Sequence, residues 1–182
     1  ECDKFDVKGL DIVRSSFPPA MRDLMTQVLK DILGNVNKDE IDEKILKFKK
    51  EMKTTDIQNI ALPTGVRNLS KFADKRKVGK LYSKGSIFTS MNKGTPVHVK
   101  SAWIYNDLLK YWNLNNFEQI KSSEKIKWIY LKQNPLNVKQ IAFKGYDDPP
   151  KIMKFIEENI DYEKLFDRAL LKKIRMFYEA LN

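Results

Sequence analysis

The stretch Lys125-Ile126-Lys127-Trp128-Ile129-Tyr130-Leu131-Lys132, followed after an Asn134-Pro135 turn by Gln140-Ile141-Ala142-Phe143, decides the fold class. It alternates at a period of two, with Ile126, Trp128 and Tyr130 on one side and Lys127, Ile129 and Leu131 on the other. Its β-branched and aromatic residues suit a pleated surface, so the spacing predicts a hairpin or two neighbouring strands. The long segments on either side read as helix. The chain is therefore expected to be α+β, mainly helical with a small β element.

Working back toward the start, Thr95-Pro96 opens a helix whose Val97, Ala102, Ile104, Tyr105, Leu108, Leu109 and Trp112 suit burial, ending near Asn113. Ser16 and Pro18-Pro19 start another, with Met21, Leu24, Met25, Val28, Leu29, Ile32 and Leu33 at helical spacing up to Gly34. Asn37 followed by Glu40 resembles a capping box and begins a third, carrying Ile41, Ile45, Leu46, Phe48 and Met52 on its apolar side. Pro149-Pro150 and Asp161 start two closing helices, the last with a stripe of Leu165, Phe166, Ala169, Leu170, Ile174, Phe177 and Leu181.

Between Thr54 and Pro96 periodicity mostly fails, glycine recurs at positions 65, 79, 85 and 94, and cations crowd together. Arg67, Lys71, Lys75, Arg76, Lys77, Lys80, Lys84, Lys93 and Lys100 share this region with a single acid, Asp74. Lys and Arg neutralise backbone phosphates and release their counterions, and glycines let main-chain N–H groups approach phosphate oxygens. Phe72, Tyr82, Phe88 and His98 interleave with the cations and are placed to stack on bases or sugars. The plainer reading is a solvated loop with packed aromatics. The one-sign character of the whole tract favours the first.

The whole chain agrees with that local signal. Across 182 residues, 34 Lys and Arg against 24 Asp and Glu give a formal net charge of +10, which favours a polyanionic partner, nucleic acid or an acidic membrane surface. No apolar run approaches the roughly 20 residues that span a bilayer, and no signal peptide stands at the start, so a soluble intracellular protein is expected. With Cys2 the only cysteine and His98 the only histidine, neither a disulfide framework nor a Cys/His metal site can be assembled within the chain. His98 has no Ser or Cys nucleophile in a recognisable arrangement, so a hydrolase centred on it is the least favoured reading. Asp147-Asp148 and Glu157-Glu158 read as a turn and a solvated helix face, because adjacent side chains diverge. GKLYSKG lacks the Gly-Lys-Ser/Thr ending of a phosphate-binding loop.

One stretch is a poor strand by periodicity. In Val7 to Val13 neither alternate face is cleanly apolar, and Gly9 interrupts it, which places it at a junction. Lys8-Gly9-Leu10-Asp11 with Val13-Arg14 resembles the KGL[D/E]xVR motif of family B DNA polymerases, the strand leaving the palm toward the thumb. The order of later segments resembles the T-even bacteriophage branch of that family: Asn68-Leu69-Ser70-Lys71-Phe72, Thr95-Pro96-Val97-His98-Val99-Lys100, and Tyr105-Asn106. Glu124-Lys125-Ile126-Lys127, Ile141-Ala142-Phe143 and Ile160-Asp161-Tyr162 continue the likeness almost to the end.

The resemblance implies residues 1–16 as the end of a palm and 17–182 as a thumb that grips primer-template duplex DNA through phosphates and the minor groove. Lys8 and Arg14 would sit near the primer end, while Asn68, Lys71, His98, Lys100 and Asn106 would contact the duplex or support that contact. Arg67, Lys75, Arg76 and Lys84 join them on charge alone. The family's palm carboxylates, which bind magnesium, are absent from the chain, so no cofactor is expected here and the chain alone should not polymerise. The implied partners are DNA and the rest of a polymerase, namely palm, fingers and exonuclease, in the cytoplasm of an infected bacterial host. Relatives often dock on a sliding clamp through a detached hydrophobic tail, whereas Phe177 to Asn182 reads as continuing helix. The competing reading is a free-standing basic helical module for RNA or an anionic membrane surface.

Overall fold

A computed structural model describes residues 17–73, 88–89 and 91–181 of the chain. The stretch Val7 to Val13, expected as a strand, and the cations Lys8, Arg14, Lys75, Arg76, Lys77, Lys80 and Lys84 lie outside the described residues. The fold is α+β and mainly helical, as expected, and its small sheet has three strands, one more than the pair that the alternation at Lys125 to Lys132 predicts. The described chain divides into two compact units, residues 17–62 with 166–181, and Pro63–Leu165.

The first unit begins with α1 (Pro19–Leu33) and α2 (Lys38–Glu51). A proline at the first helical position has no N–H to leave unpaired, which favours the start of α1; Gly34 and Asn35, the latter at φ 55°, turn the chain out of it. Met21, Leu24, Met25, Val28 and Leu29 are buried from α1, and Ile41, Ile45 and Phe48 from α2. Leu46 departs from expectation at 58% exposed: it follows Ile45 directly, so it stands about 100° around the helix from the buried stripe. Asn37 accepts a hydrogen bond from the Asp39 N–H at 2.9 Å, a cap that contributes about 1 kcal/mol. The short helix α3 (Ile57–Ile60) is capped in the same way by Asp56.

The second unit holds the sheet. β1 (Leu62–Gly65), β2 (Lys125–Tyr130) and β3 (Gln140–Phe143) lie in that order, with β2 and β3 antiparallel and Trp128 opposite Ala142. The β2–β3 connection is organised by Asn134, whose amide donates to the Lys132 and Val138 carbonyls and accepts from the Leu136 N–H. Short α4 (Leu69–Phe72) follows β1, and α5 (Val97–Tyr111) packs along β3. Tyr105, Leu108, Ile129, Ile141 and Phe143 are fully buried there. α6 (Pro150–Asn159) leads back to the end of β2, where Lys132 N–H donates to the Asn159 carbonyl and Asp161 N–H to the Tyr130 carbonyl.

The closing helix starts at Asp161, whose carboxylate accepts from the Lys164 N–H at 2.9 Å. It runs as α7 (Tyr162–Leu165), a π-helical segment (Phe166–Leu171) and α8 (Lys172–Leu181). Leu165, Phe166, Ala169, Leu170, Ile174 and Phe177 are buried, as their stripe predicts. The wider π turn is not visible in the sequence pattern. No helix among the described residues is long and apolar enough to cross a membrane.

Candidate nucleic-acid interface

Helix α5 organises the basic surface of the second unit. Its start is set by Thr95-Pro96, where the Thr95 hydroxyl donates to the Asn92 carbonyl at 2.6 Å and the Pro96 carbonyl accepts from the Lys100 N–H. Two basic segments are fastened to this helix. The indole N–H of Trp103 donates to the Leu69 carbonyl at 3.0 Å, holding α4 against it. Ala73 bridges Met91, and Asn92 N–H donates to the Phe72 carbonyl, so the segment carrying Lys93 is tied to the one carrying Lys71.

A third basic segment joins from the far side of the sequence. Ser122 Oγ accepts from the Leu69 N–H at 3.2 Å, Ser123 N–H donates to the Val66 carbonyl, and Val66 N–H donates to the Glu124 carbonyl. The loop is anchored at its base by Asn106, whose amide nitrogen donates to the Ile120 carbonyl at 2.9 Å while its oxygen accepts from the Ile120 N–H at 2.7 Å. These bonds pair the segment carrying Lys121 and Lys125 with the one carrying Arg67. Glu124, the one acid in Ile120–Lys125, turns inward and pairs with the buried ammonium of Lys144 at 3.4 Å. That pairing leaves the outer side of the loop cationic.

The exposed cations Arg67, Lys71, Lys93, Lys100, Lys121 and Lys125 therefore stand on segments bonded to one another or to α5. No acid occurs in residues 66–73 or 91–100. The Lys71 ammonium lies 5.6 Å from the Phe72 ring centroid, a cation–π contact that steadies a long side chain. Asn68, exposed at φ 54°, adopts the left-handed conformation that Asn tolerates and so turns the chain into α4. Such an array can neutralise phosphates without reading bases.

No protein-family model matches the chain, and no curated protein matches it significantly.

Of the residues expected to form the site, Arg67, Asn68, Lys71 and Lys100 are exposed in this unit. Asn106 is 4% exposed and fully engaged with Ile120, so within this fold it supports the surface. His98 is half-buried in the first turn of α5, and burial lowers its pKa below the ordinary 6.5. At neutral pH it offers a neutral imidazole instead of a cation. Its native state binds fewer protons than the unfolded chain just below pH 6.5, so its contribution to stability is present above that value and declines as the pH falls through it. A proton NMR titration should place the single imidazole's midpoint below 6.5, with a duplex-binding curve free of a His98 inflection between about pH 7 and 8.

Lys121, Lys125 and Lys139 were absent from the residues expected on sequence grounds. The clustering in Lys121 to Lys127 is a signal for the first two; nothing local marks the third. Lys139 lies on a groove of about 350 Å³ lined also by Phe88, Thr89, Met91, Lys100 and Ile104. Thr89 is fixed there by two bonds to Asp107, from its N–H at 2.7 Å and its hydroxyl at 2.9 Å. Burial raises the Asp107 pKa, an effect that these bonds and nearby Lys110 oppose.

Asp148 accepts from the Tyr105 hydroxyl at 3.0 Å and from the Lys144 and Gly145 N–H groups, so both of its oxygens close a turn. Burial, then the Asp148 charge, pushes the Tyr105 phenol far above its ordinary pKa, which leaves it a permanent donor to that carboxylate. Among the described residues no group of His, Cys, Asp and Glu is arranged to hold a metal ion.

Proposed function

We propose that this chain is the DNA-gripping thumb region of a family B DNA polymerase of the T-even phage type, binding primer-template duplex through its phosphates. The observation that carries the reading is that the exposed cations Arg67, Lys71, Lys93, Lys100, Lys121 and Lys125 stand on segments hydrogen-bonded to one another or to α5. A replicative enzyme must hold every sequence equally, and a phosphate-directed array meets that need. The segments resembling polymerase motifs, Asn68 to Phe72 and Thr95 to Lys100, fall on the fastened segment carrying Lys71 and on the start of α5. Phosphoryl transfer would fall to palm carboxylates and magnesium on the rest of the enzyme, in the cytoplasm of an infected bacterium.

The test compares three polyanions on the purified chain at equal salt: a primer-template duplex, a structured RNA and anionic vesicles. Duplex should bind most tightly, with little dependence on its sequence, and no primer should be extended when magnesium and nucleotides are added. Tighter binding to the RNA or the vesicles would replace the polymerase reading with that of a basic module. Primer extension by the chain alone would overturn the assignment of catalysis to other residues.

A further inference from the structure

The groove beside Lys100 differs in character from the open basic surface. Its volume of about 350 Å³ falls at the lower end of the roughly 300–1,000 Å³ of small-molecule sites, too small for a duplex. Met91, Ile104 and Val138 supply apolar wall, the latter two nearly buried. Phe88 adds an aromatic ring to the lining, and the exposed cations Lys100 and Lys139 stand on α5 and at the entry to β3. Asn137 and Gln140 bring side-chain amides, each offering both a donor and an acceptor.

Its frame is held from several directions. Thr89 is pinned to the buried carboxylate of Asp107, and Asn134 fixes the loop that carries Asn137 and Val138. Preformed walls lower the ordering cost of binding a small ligand. An apolar slot bordered by two ammonium groups and two amides is complementary to one occupant in particular: a flat heteroaromatic base joined to a phosphate.

We propose that this groove binds a single unpaired nucleotide unit, its base against Met91, Ile104 and Val138 and its phosphate between Lys100 and Lys139. The nucleic-acid reading of the basic surface supplies the occupant's identity, and the inference rests on that reading. In the complete assembly the groove would hold a nucleotide of an unpaired strand next to the gripped duplex, which a smooth phosphate-binding face cannot do.

Methyl-detected NMR of the full chain, titrated separately with a deoxynucleoside monophosphate and with inorganic phosphate, tests the proposal. The nucleotide should shift the methyls of Met91, Ile104 and Val138 saturably, and at least about tenfold lower concentration should be needed than for phosphate. Lys139→Glu, at an exposed position, should weaken the nucleotide by about tenfold or more. Equal responses to nucleotide and phosphate, shifts scattered over the surface, or an unchanged midpoint in Lys139→Glu would each overturn the groove. Duplex titration of the unaltered chain is a separate arm. If duplex fails to bind while the methyl shifts stay saturable and local, the interface reading falls and the groove stands.

Discussion

Replacing Arg67, Lys71, Lys93 and Lys100 together by Glu should lower affinity for primer-template duplex by about 1,000-fold or more at moderate salt. All four side chains are exposed, so their removal leaves the core untouched. The substitutions take Lys and Arg from 34 to 30 and Asp and Glu from 24 to 28, reducing the formal net charge from +10 to +2. Each lost cation forgoes one released counterion, and each new carboxylate repels the phosphate it faces. A control of equal charge, with four Glu placed at exposed lysines on α2 such as Lys38, Lys44, Lys47 and Lys50, separates local contact from overall charge. Binding measured by fluorescence anisotropy should fall far more in the first variant. Equal losses would mean that the polyanion responds to net charge alone.

The second large effect is on stability. Asn106→Ala should destabilise the chain by about 3 kcal/mol, because it strands both the N–H and the carbonyl of Ile120, a residue only 2% exposed. For a chain of this size that corresponds to a fall in Tm of about 6–12 °C. Asn106→Asp should not rescue it. The new carboxylate still accepts from the Ile120 N–H, but it faces the Ile120 carbonyl with a second acceptor and is charged in a buried place. Calorimetry on the two variants checks this. An unchanged Tm with weakened duplex binding would instead make Asn106 a contact residue.

Much of the fold is legible because its signal is local. The stripe from Leu165 to Phe177 and the α1 positions from Met21 to Leu29 are buried as their spacing requires, while Leu33 in the last turn of α1 is 44% exposed. The alternation from Lys125 to Tyr130 became β2, paired with Gln140–Phe143. β1 was not legible, since Leu62-Pro63-Thr64-Gly65 is four residues long and contains the two residue types most depleted in strands. Its place beside β2 follows from tertiary packing. The π-helical turn at Phe166–Leu171 likewise leaves the 3.6-residue stripe intact to the eye.

The candidate site was partly legible for the same reason. Cation density pointed to Arg67, Lys71 and Lys100, but a one-dimensional tract cannot show that Ser122 bonds to Leu69 and brings Lys121 and Lys125 alongside, 53 residues away. Nor can it show that Glu124 turns inward to Lys144 and so removes a negative charge from that face. Asn106 reads in sequence as a polar residue on a helix; only its long-range bonds to Ile120 distinguish support from contact. His98 is similar, a neighbour of Lys100 in sequence that burial keeps uncharged.

The most direct measurement of the account is the salt dependence of duplex binding by the intact chain. With about four to six phosphates neutralised, the logarithm of the association constant should fall with the logarithm of salt at a slope of about −4 to −5. Between about 50 and 200 mM sodium chloride the affinity should then drop roughly 100- to 1,000-fold, alike for duplexes of different sequence. An affinity that stays constant over that range would contradict the phosphate-gripping surface at its foundation.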